Sequence, residues 1–220
     1  MIEAVIFDMD GVLIDSENHW QRHERELFGE MGIELTDELL VQTRGLTSEE
    51  MVNHWSSRFD IDGISHEDLM KDYDRRMILT MEKEVPLMDG ALEAIQFFKE
   101  KNIPVALASC TNYNLIEAAM NRHDLRKYFK LMVSASGVMP GKPHPEVYIQ
   151  TAAKMGADPT RCLAIEDSFF GVISAKAAKM KVVAMPDPSE YNQDRFSAAD
   201  AKIRSLREID DELFKKLENL

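Results

Sequence analysis

Positive charge is in short supply in this chain. Against 39 Asp and Glu it sets 26 Lys and Arg, a net charge of −13 at pH 7. A chain this acidic offers no basic face to a phosphate backbone, so nucleic acid is excluded as a partner. Any anionic substrate must instead find a local positive site against the overall field. Cysteine is nearly absent. The only two, Cys110 and Cys162, form no CxxC pair and fit a reducing, cytoplasmic compartment. No apolar run is long enough to span a membrane, and no secretory signal precedes the first strand, so no membrane partner is expected. Repeats and low-complexity segments are lacking too. What is present is 45% hydrophobic and 30% charged residues in a length of 220, which excludes disorder. That length accommodates one large domain, or a core domain with a smaller one inserted.

Five short apolar, β-branched runs read as buried parallel strands: AVIFD (4–8), IPVALAS (103–109), LMVSA (131–135), CLAIED (162–167) and KVVAM (181–185), with AKI (201–203) as an edge. Segments with helical apolar spacing alternate with them, at 89–102, 112–125, 145–156 and 168–180. Strand and helix in alternation predict an α/β fold with a doubly wound parallel sheet. One connection is far too long. The helix at 89–102 suffices for the first crossover, which leaves residues 16–83 over, and these read as helix: SENHWQRHERELFGEMG, DELLVQTR, SEEMVNHWSSRF and HEDLMKDYDRRMILTM. A structureless loop of that length is improbable. The expectation is an all-helical inserted domain at 16–83 and a core of 1–15 and 84–220, with linkers near Asp15 and from Glu84 to Asp89.

Ligands of open α/β sheets bind beyond the C-terminal strand ends. Those ends carry Asp8 and Asp10, then Ser109, then Glu166 and Asp167, and Lys142 lies in PGKPHPE after the third strand. Clustered carboxylates repel one another and resist burial unless a hard cation joins them, and magnesium prefers oxygen ligands. Asp8 and Asp167 are expected ligands, with Glu166 beside them. Magnesium also takes substrate phosphate oxygens, which points to phosphoryl transfer. Asp8 is then placed to attack phosphorus. Asp10, two residues on and pointing the same way, is placed to protonate the leaving oxygen and deprotonate water. Ser109 and Lys142 would hold the phosphoryl oxygens.

FDMDGVLIDSE, LASCTN, GKPHPEVY and AIEDSFFG, in that order, resemble the four motifs of the haloacid dehalogenase superfamily, in its phosphatase and phosphomutase branch with a helical cap. The resemblance implies a Rossmann-like core, Asp8 as nucleophile, Asp10 as acid/base and, through its backbone carbonyl, a metal ligand. It likewise implies Ser109, Lys142, Glu166 and Asp167 as the remaining motif residues, and Mg2+ as cofactor. The stretches DSENHW, KPHPEVYIQTAAKMGADP, EDSFFGVISAKAAKM and NQDRFSAADAKIRSLREI are similar to hexose-phosphate phosphatases of the 2-deoxyglucose-6-phosphate type. The implied activity is hydrolysis of a small phosphorylated sugar or polyol; a monomer is expected, because the cap already covers the site.

The alternative is a β-phosphoglucomutase-like phosphomutase. Mutases of the family hold a distal phosphate with an arginine just after the Gly of the cap loop and a Lys-Asn pair after the second motif. This chain has Ser48 and Glu49, then Asn112 and Tyr113, at those places. A receiver-type phospho-switch shares some residue types but lacks an acid/base two residues past its aspartate and lacks a helical insert. Substrate contacts are expected from Trp20, Arg44, Thr47 and Asn112. Trp20 either stacks on a sugar face or packs between cap and core. Cys110, with Thr111 beside it, is expected to lend the phosphate a backbone amide rather than its thiol.

Overall fold

The computed structural model describes residues 1–61, 63–136 and 140–220. Its sheet is built on β1 (Ala4–Phe7), four buried apolar residues. Parallel to it lie β2 (Val105–Ser109), β3 (Phe129–Ser134), β4 (Cys162–Glu166), β5 (Lys181–Ala184) and the two-residue edge β6 (Ala201–Lys202). The strand order is β3-β2-β1-β4-β5-β6. β1 therefore pairs with β2 on one side and β4 on the other, and the chain reverses its winding there. That switch point opens a crevice at the C-terminal end of β1.

Side chains alternate across a strand, and here they sort into two unlike faces. Val5, Phe7, Leu107, Leu163 and Ile165 enter one apolar cluster with α5 (Ala91–Glu100), α6 (Tyr113–Arg122) and α9 (Asp211–Glu218). Ala4, Ile6, Ala106, Ala108, Ala164 and Ala184 enter the other, with α7 (Glu146–Met155) and α8 (Phe169–Ala177). The alanine-rich face lets α7 and α8 lie close on the sheet, which brings the start of each helix near the strand ends.

Between β1 and α5 lie α1 (Glu17–Gly29), α2 (Asp37–Leu40), α3 (Ser48–Arg58) and α4 (His66–Lys83). They share a third cluster around Phe28, Leu40, Val52, Trp55 and Tyr73. α4 belongs to both layers: Leu69 and Tyr73 enter that cluster, whereas Met77 and Met81 enter the sheet's. Two elements differ from the sequence reading, the first of them for a local reason. α2 is a single turn rather than the whole of DELLVQTR, because the Thr43 hydroxyl takes the Leu40 carbonyl and Gly45 turns the chain at φ +78°. β3 begins at Phe129, two residues before LMVSA. The chain leaving β1 and the chain returning to α5 run side by side. Asp15 N–H donates to Pro86 O and Met88 N–H to Leu13 O, each at 3.0 Å. Among the described residues no helix is long and apolar enough to cross a membrane.

Candidate active site

β1 ends in Asp8, whose N–H extends the ladder to Ile165 O at 3.0 Å. The chain then turns at once: Leu13 and Ile14 N–H both donate to Met9 O. Gly11 makes this possible at φ +71°, and a Cβ there would fall 2.2 Å from Asp167 Oδ2. Only glycine lets the Asp167 carboxylate lie against that turn.

Asp8, Glu166 and Asp167 bring carboxylate oxygens within 4.8 Å of one another. One ammonium stands among them. Lys142 Nζ is 2.6 Å from Asp8 Oδ1 and 2.6 Å from Glu166 Oε1. Glu166, wholly buried, also accepts the Tyr148 hydroxyl at 2.5 Å. Burial pushes the Asp8 carboxyl up to about 7 despite the pull of Lys142, with Glu166 and Asp10 pushing the same way. Asp167 is raised well above the carboxylate range by burial and then by Glu166 and Asp8. For Lys142, burial works against the charge, but Asp8 and Glu166 outweigh it and keep the amine protonated. Three acidic groups meet one ammonium in this buried site, and burial with mutual repulsion drives Asp8 and Asp167 toward their neutral forms unless a further cation joins them. An all-oxygen donor set under such repulsion fits a hard dication such as magnesium.

Asp10 stands outside this cluster and has partners of its own. Its Oδ1 accepts Ser16 Oγ at 2.5 Å and Trp20 Nε1 at 2.9 Å, and its Oδ2 accepts Thr111 Oγ1 at 2.6 Å. The Trp20 indole thus holds a carboxylate, with its ring 5.4 Å from that of Tyr73. Ser109 is buried at the end of β2, and its Oγ accepts Thr111 N–H at 3.0 Å. Cys110 Sγ accepts the Lys142 backbone N–H at 3.3 Å. Burial raises the Cys110 thiol, so it stays protonated.

Asp8, Asp10, Ser109, Cys110, Thr111, Lys142 and Asp167 all border one cavity of about 190 Å³, closed from the other side by α1 and the loop into α3. Trp20, Arg44 and Thr47 border it as well. Thr47 is chiefly the N-cap of α3, in a reciprocal capping box with Glu50. Asn112 is not among the lining residues. Its Oδ1 caps α6 and its amide donates to Asp74 Oδ2 at 3.1 Å, tying that helix to α4. Glu166 borders the cavity only through Lys142 and Asp8.

Sequence reasoning missed Tyr148, the donor beneath Glu166, and Gly171, whose added Cβ would lie 2.0 Å from the Glu166 carboxyl carbon. The signal for Gly171 is a glycine inside an otherwise apolar helix, which marks a close approach. It missed Ser16 as well, and the lining residues Glu17, Gln21 and Glu24 on α1.

A doubly wound sheet with paired acids at the end of its first strand, a buried lysine and a second acidic pair defines a class, and the comparisons agree with it. Residues 5–185 match the model of the haloacid dehalogenase-like hydrolases, and the chain belongs to that family. Among its relatives, hexitol phosphatase B of Escherichia coli K12 is 39% identical over 209 residues, 94% of each chain. A phosphorylated carbohydrates phosphatase of Thermotoga maritima is 34% identical over 180 residues, 80% of this chain and 82% of that one. The crystal structure of CbbY from Rhodobacter sphaeroides in complex with phosphate superposes with a TM-score of 0.86 at 25% identity, covering 95% of this chain and 96% of that one.

Proposed function

We propose that this protein is a magnesium-dependent phosphatase that hydrolyses small sugar or polyol phosphates through an aspartyl phosphate on Asp8. The observation that carries this reading is the pair Asp8 and Asp10. The first sits among carboxylates on a buried ammonium, while the second borders the same cavity and is held by three donors of its own. The substrate class is supported by the hexitol and carbohydrate phosphatase relatives.

An Asp8 oxygen attacks phosphorus, and the bond from phosphorus to the ester oxygen breaks. Asp10 gives that departing oxygen its proton. The freed Asp10 carboxylate then takes a proton from water, whose oxygen attacks the same phosphorus. The acyl–phosphate bond breaks, inorganic phosphate leaves and the Asp8 carboxylate is restored. Lys142 offsets phosphoryl charge from its position against Asp8, and Ser109, its hydroxyl oriented by the Thr111 N–H, holds the oxygens together with the backbone amide of Cys110. Asp8, Asp167 and the Asp10 carbonyl would hold the magnesium ion, with Glu166 beside them orienting Lys142. The ion supplies charge neutralisation that lets an anionic nucleophile approach an anionic phosphoryl group. The helices between residues 16 and 83 act in this reading as a cap that excludes water.

The test is phosphate release from a panel of hexose, hexitol and triose phosphates. Many turnovers are expected with magnesium, none after chelation, and recovery on adding magnesium back. One phosphate per chain would mark a switch, isomerisation without release a mutase, and indifference to chelator would remove the metal from the scheme.

Gly171→Ala probes how Glu166 is seated. Alanine ordinarily stabilises a helix interior by about 1 kcal/mol over glycine. Here its methyl group displaces the Glu166 carboxylate from Tyr148 and Lys142. We expect a lower melting temperature and a loss of about 10- to 100-fold in magnesium affinity or kcat/KM. A more stable variant of full activity would show that Glu166 has no fixed seat to lose.

A further inference from the structure

Tyr148 sits on α7 inside the alanine-rich layer, wholly buried and absent from the cavity wall. Packing alone would be served as well by phenylalanine, which brings no hydroxyl to be satisfied. Here the hydroxyl has a specific destination. It donates to Glu166 Oε1 at 2.5 Å, the same oxygen that Lys142 Nζ meets at 2.6 Å. The ring is engaged as well, for Lys142 Nζ lies over it, 5.2 Å from the centroid. One side chain thus holds both members of the Lys142–Glu166 pair, by different means. The small side chains of Ala106, Ala108 and Ala164 share its cluster and leave room for the ring.

The ammonium needs such support. Its three hydrogens have three acceptors: Asp8 Oδ1 at 2.6 Å, Glu166 Oε1, and the Ala108 carbonyl at 3.4 Å. The last contact is long, and Asp8 is an anionic partner only until its oxygen bonds phosphorus. Glu166 is then the carboxylate still in contact with the amine. Its own aim depends on what holds its oxygens. Oε2 meets the Ser168 hydroxyl at 3.4 Å, which is long for a hydroxyl donor. The Tyr148 phenol, on Oε1, is the donor that fixes the rotation of this carboxylate.

We infer that Tyr148 is a positioning residue: its hydroxyl locks the Glu166 carboxylate and its ring backs the ammonium, so that Lys142 stays aimed at the reacting phosphoryl group in both halves of the cycle. The inference rests on the phosphatase reading, which puts that group at Asp8.

Tyr148→Phe keeps the ring and removes the hydroxyl. With magnesium present, it should lower kcat on sorbitol 6-phosphate by about tenfold and leave KM within about twofold, since the amine it loosens acts on transition-state charge. p-Nitrophenyl phosphate should be slowed by a similar factor, because Lys142 acts on the phosphoryl group and not on the departing oxygen. Glu166→Gln should be slow by itself. Adding Tyr148→Phe to it should lower kcat by less than about twofold more, since a residue that acts through Glu166 has nothing left to act on. Proton NMR reads the contact without turnover. Wild type should show a slowly exchanging tyrosine hydroxyl far downfield, as a buried charge-assisted hydrogen bond gives, and Tyr148→Phe should lack it.

Unchanged kcat in Tyr148→Phe overturns the inference, as does a loss confined to KM or a full tenfold loss on top of Glu166→Gln. A wild-type spectrum without that hydroxyl does the same, even where the variant melts too low to assay. If wild type releases phosphate from neither ester, the phosphatase reading falls first and takes this one with it.

Discussion

Replacing Asp8 with asparagine is expected to cut turnover by about 10⁴-fold or more, the scale on which enzymes lose a covalent nucleophile. The amide has Asp8's shape but no anionic oxygen to bond phosphorus. The fold should survive the change. The Asp8 backbone N–H keeps its bond to Ile165 O, and Lys142 keeps Glu166 as its partner at 2.6 Å. The stability effect has a definite sign in chelator. Burial raises the Asp8 carboxyl to about 7 in the folded chain. A raised carboxyl favours the folded state below its unfolded value, and that advantage is lost as pH rises through about 7. Above that pH the charged side chain burdens the fold, so Asp8→Asn should melt no lower than wild type at pH 8. Rapid quench with a radiolabelled sugar phosphate should find acyl phosphate on wild type and none on the variant. A well-folded Asp8→Asn protein with substantial activity would move the nucleophile elsewhere.

The residues of this inner site were readable in the chain because each stands at a change of pattern. A β-branched run ends in Asp8, another in Ser109 and a third in Glu166 and Asp167, while Lys142 sits between glycine and proline. Such edges follow from local periodicity and need no knowledge of pairing. What pairing decides was not readable. The alanine-rich face of the sheet is visible only once the strand order and register set Ala106 and Ala164 on either side of Ile6, on the same face as Ala4. Tyr148 looks like one more apolar helix residue until α7 packs over β3, β2 and β1 and brings its hydroxyl to Glu166. The stripe of Glu17, Gln21 and Glu24 looks solvated until the strand ends are set opposite it. Trp20 offered two readings from its chemistry, stacking on a sugar or packing between layers, and neither anticipates an indole N–H on Asp10. Asn112 follows the Ser109 motif closely enough to look like a phosphate contact, yet its amide is taken by α6 and Asp74.

That web around Asp10 sets the terms of the second large effect. Asp10→Asn should slow hydrolysis of a sugar phosphate by about 10²- to 10⁴-fold, the usual worth of a positioned acid or base. The substitution is mild structurally. Its Oδ1 can still accept Ser16 and Trp20, and the Thr111 hydroxyl can rotate to accept from the new amide. Its kinetic consequence depends on the leaving group, which separates the two duties assigned to Asp10. A sugar alkoxide needs a proton in order to leave, so the variant should form little acyl phosphate from sorbitol 6-phosphate. p-Nitrophenolate leaves without one, so with that ester the variant should release about one equivalent of phenolate in a burst and then stall, because no base activates the water. A burst with the aryl ester, together with loss of both steps for the sugar ester, is the signature of one carboxylate serving as acid and then as base. Equal slowing of both esters with no burst would reduce Asp10 to a support for the Asp8 loop. Near-normal rates on both would leave the departing oxygen to be protonated by another group, and the three donors around Asp10 would then serve only to tie α1 to the strand end.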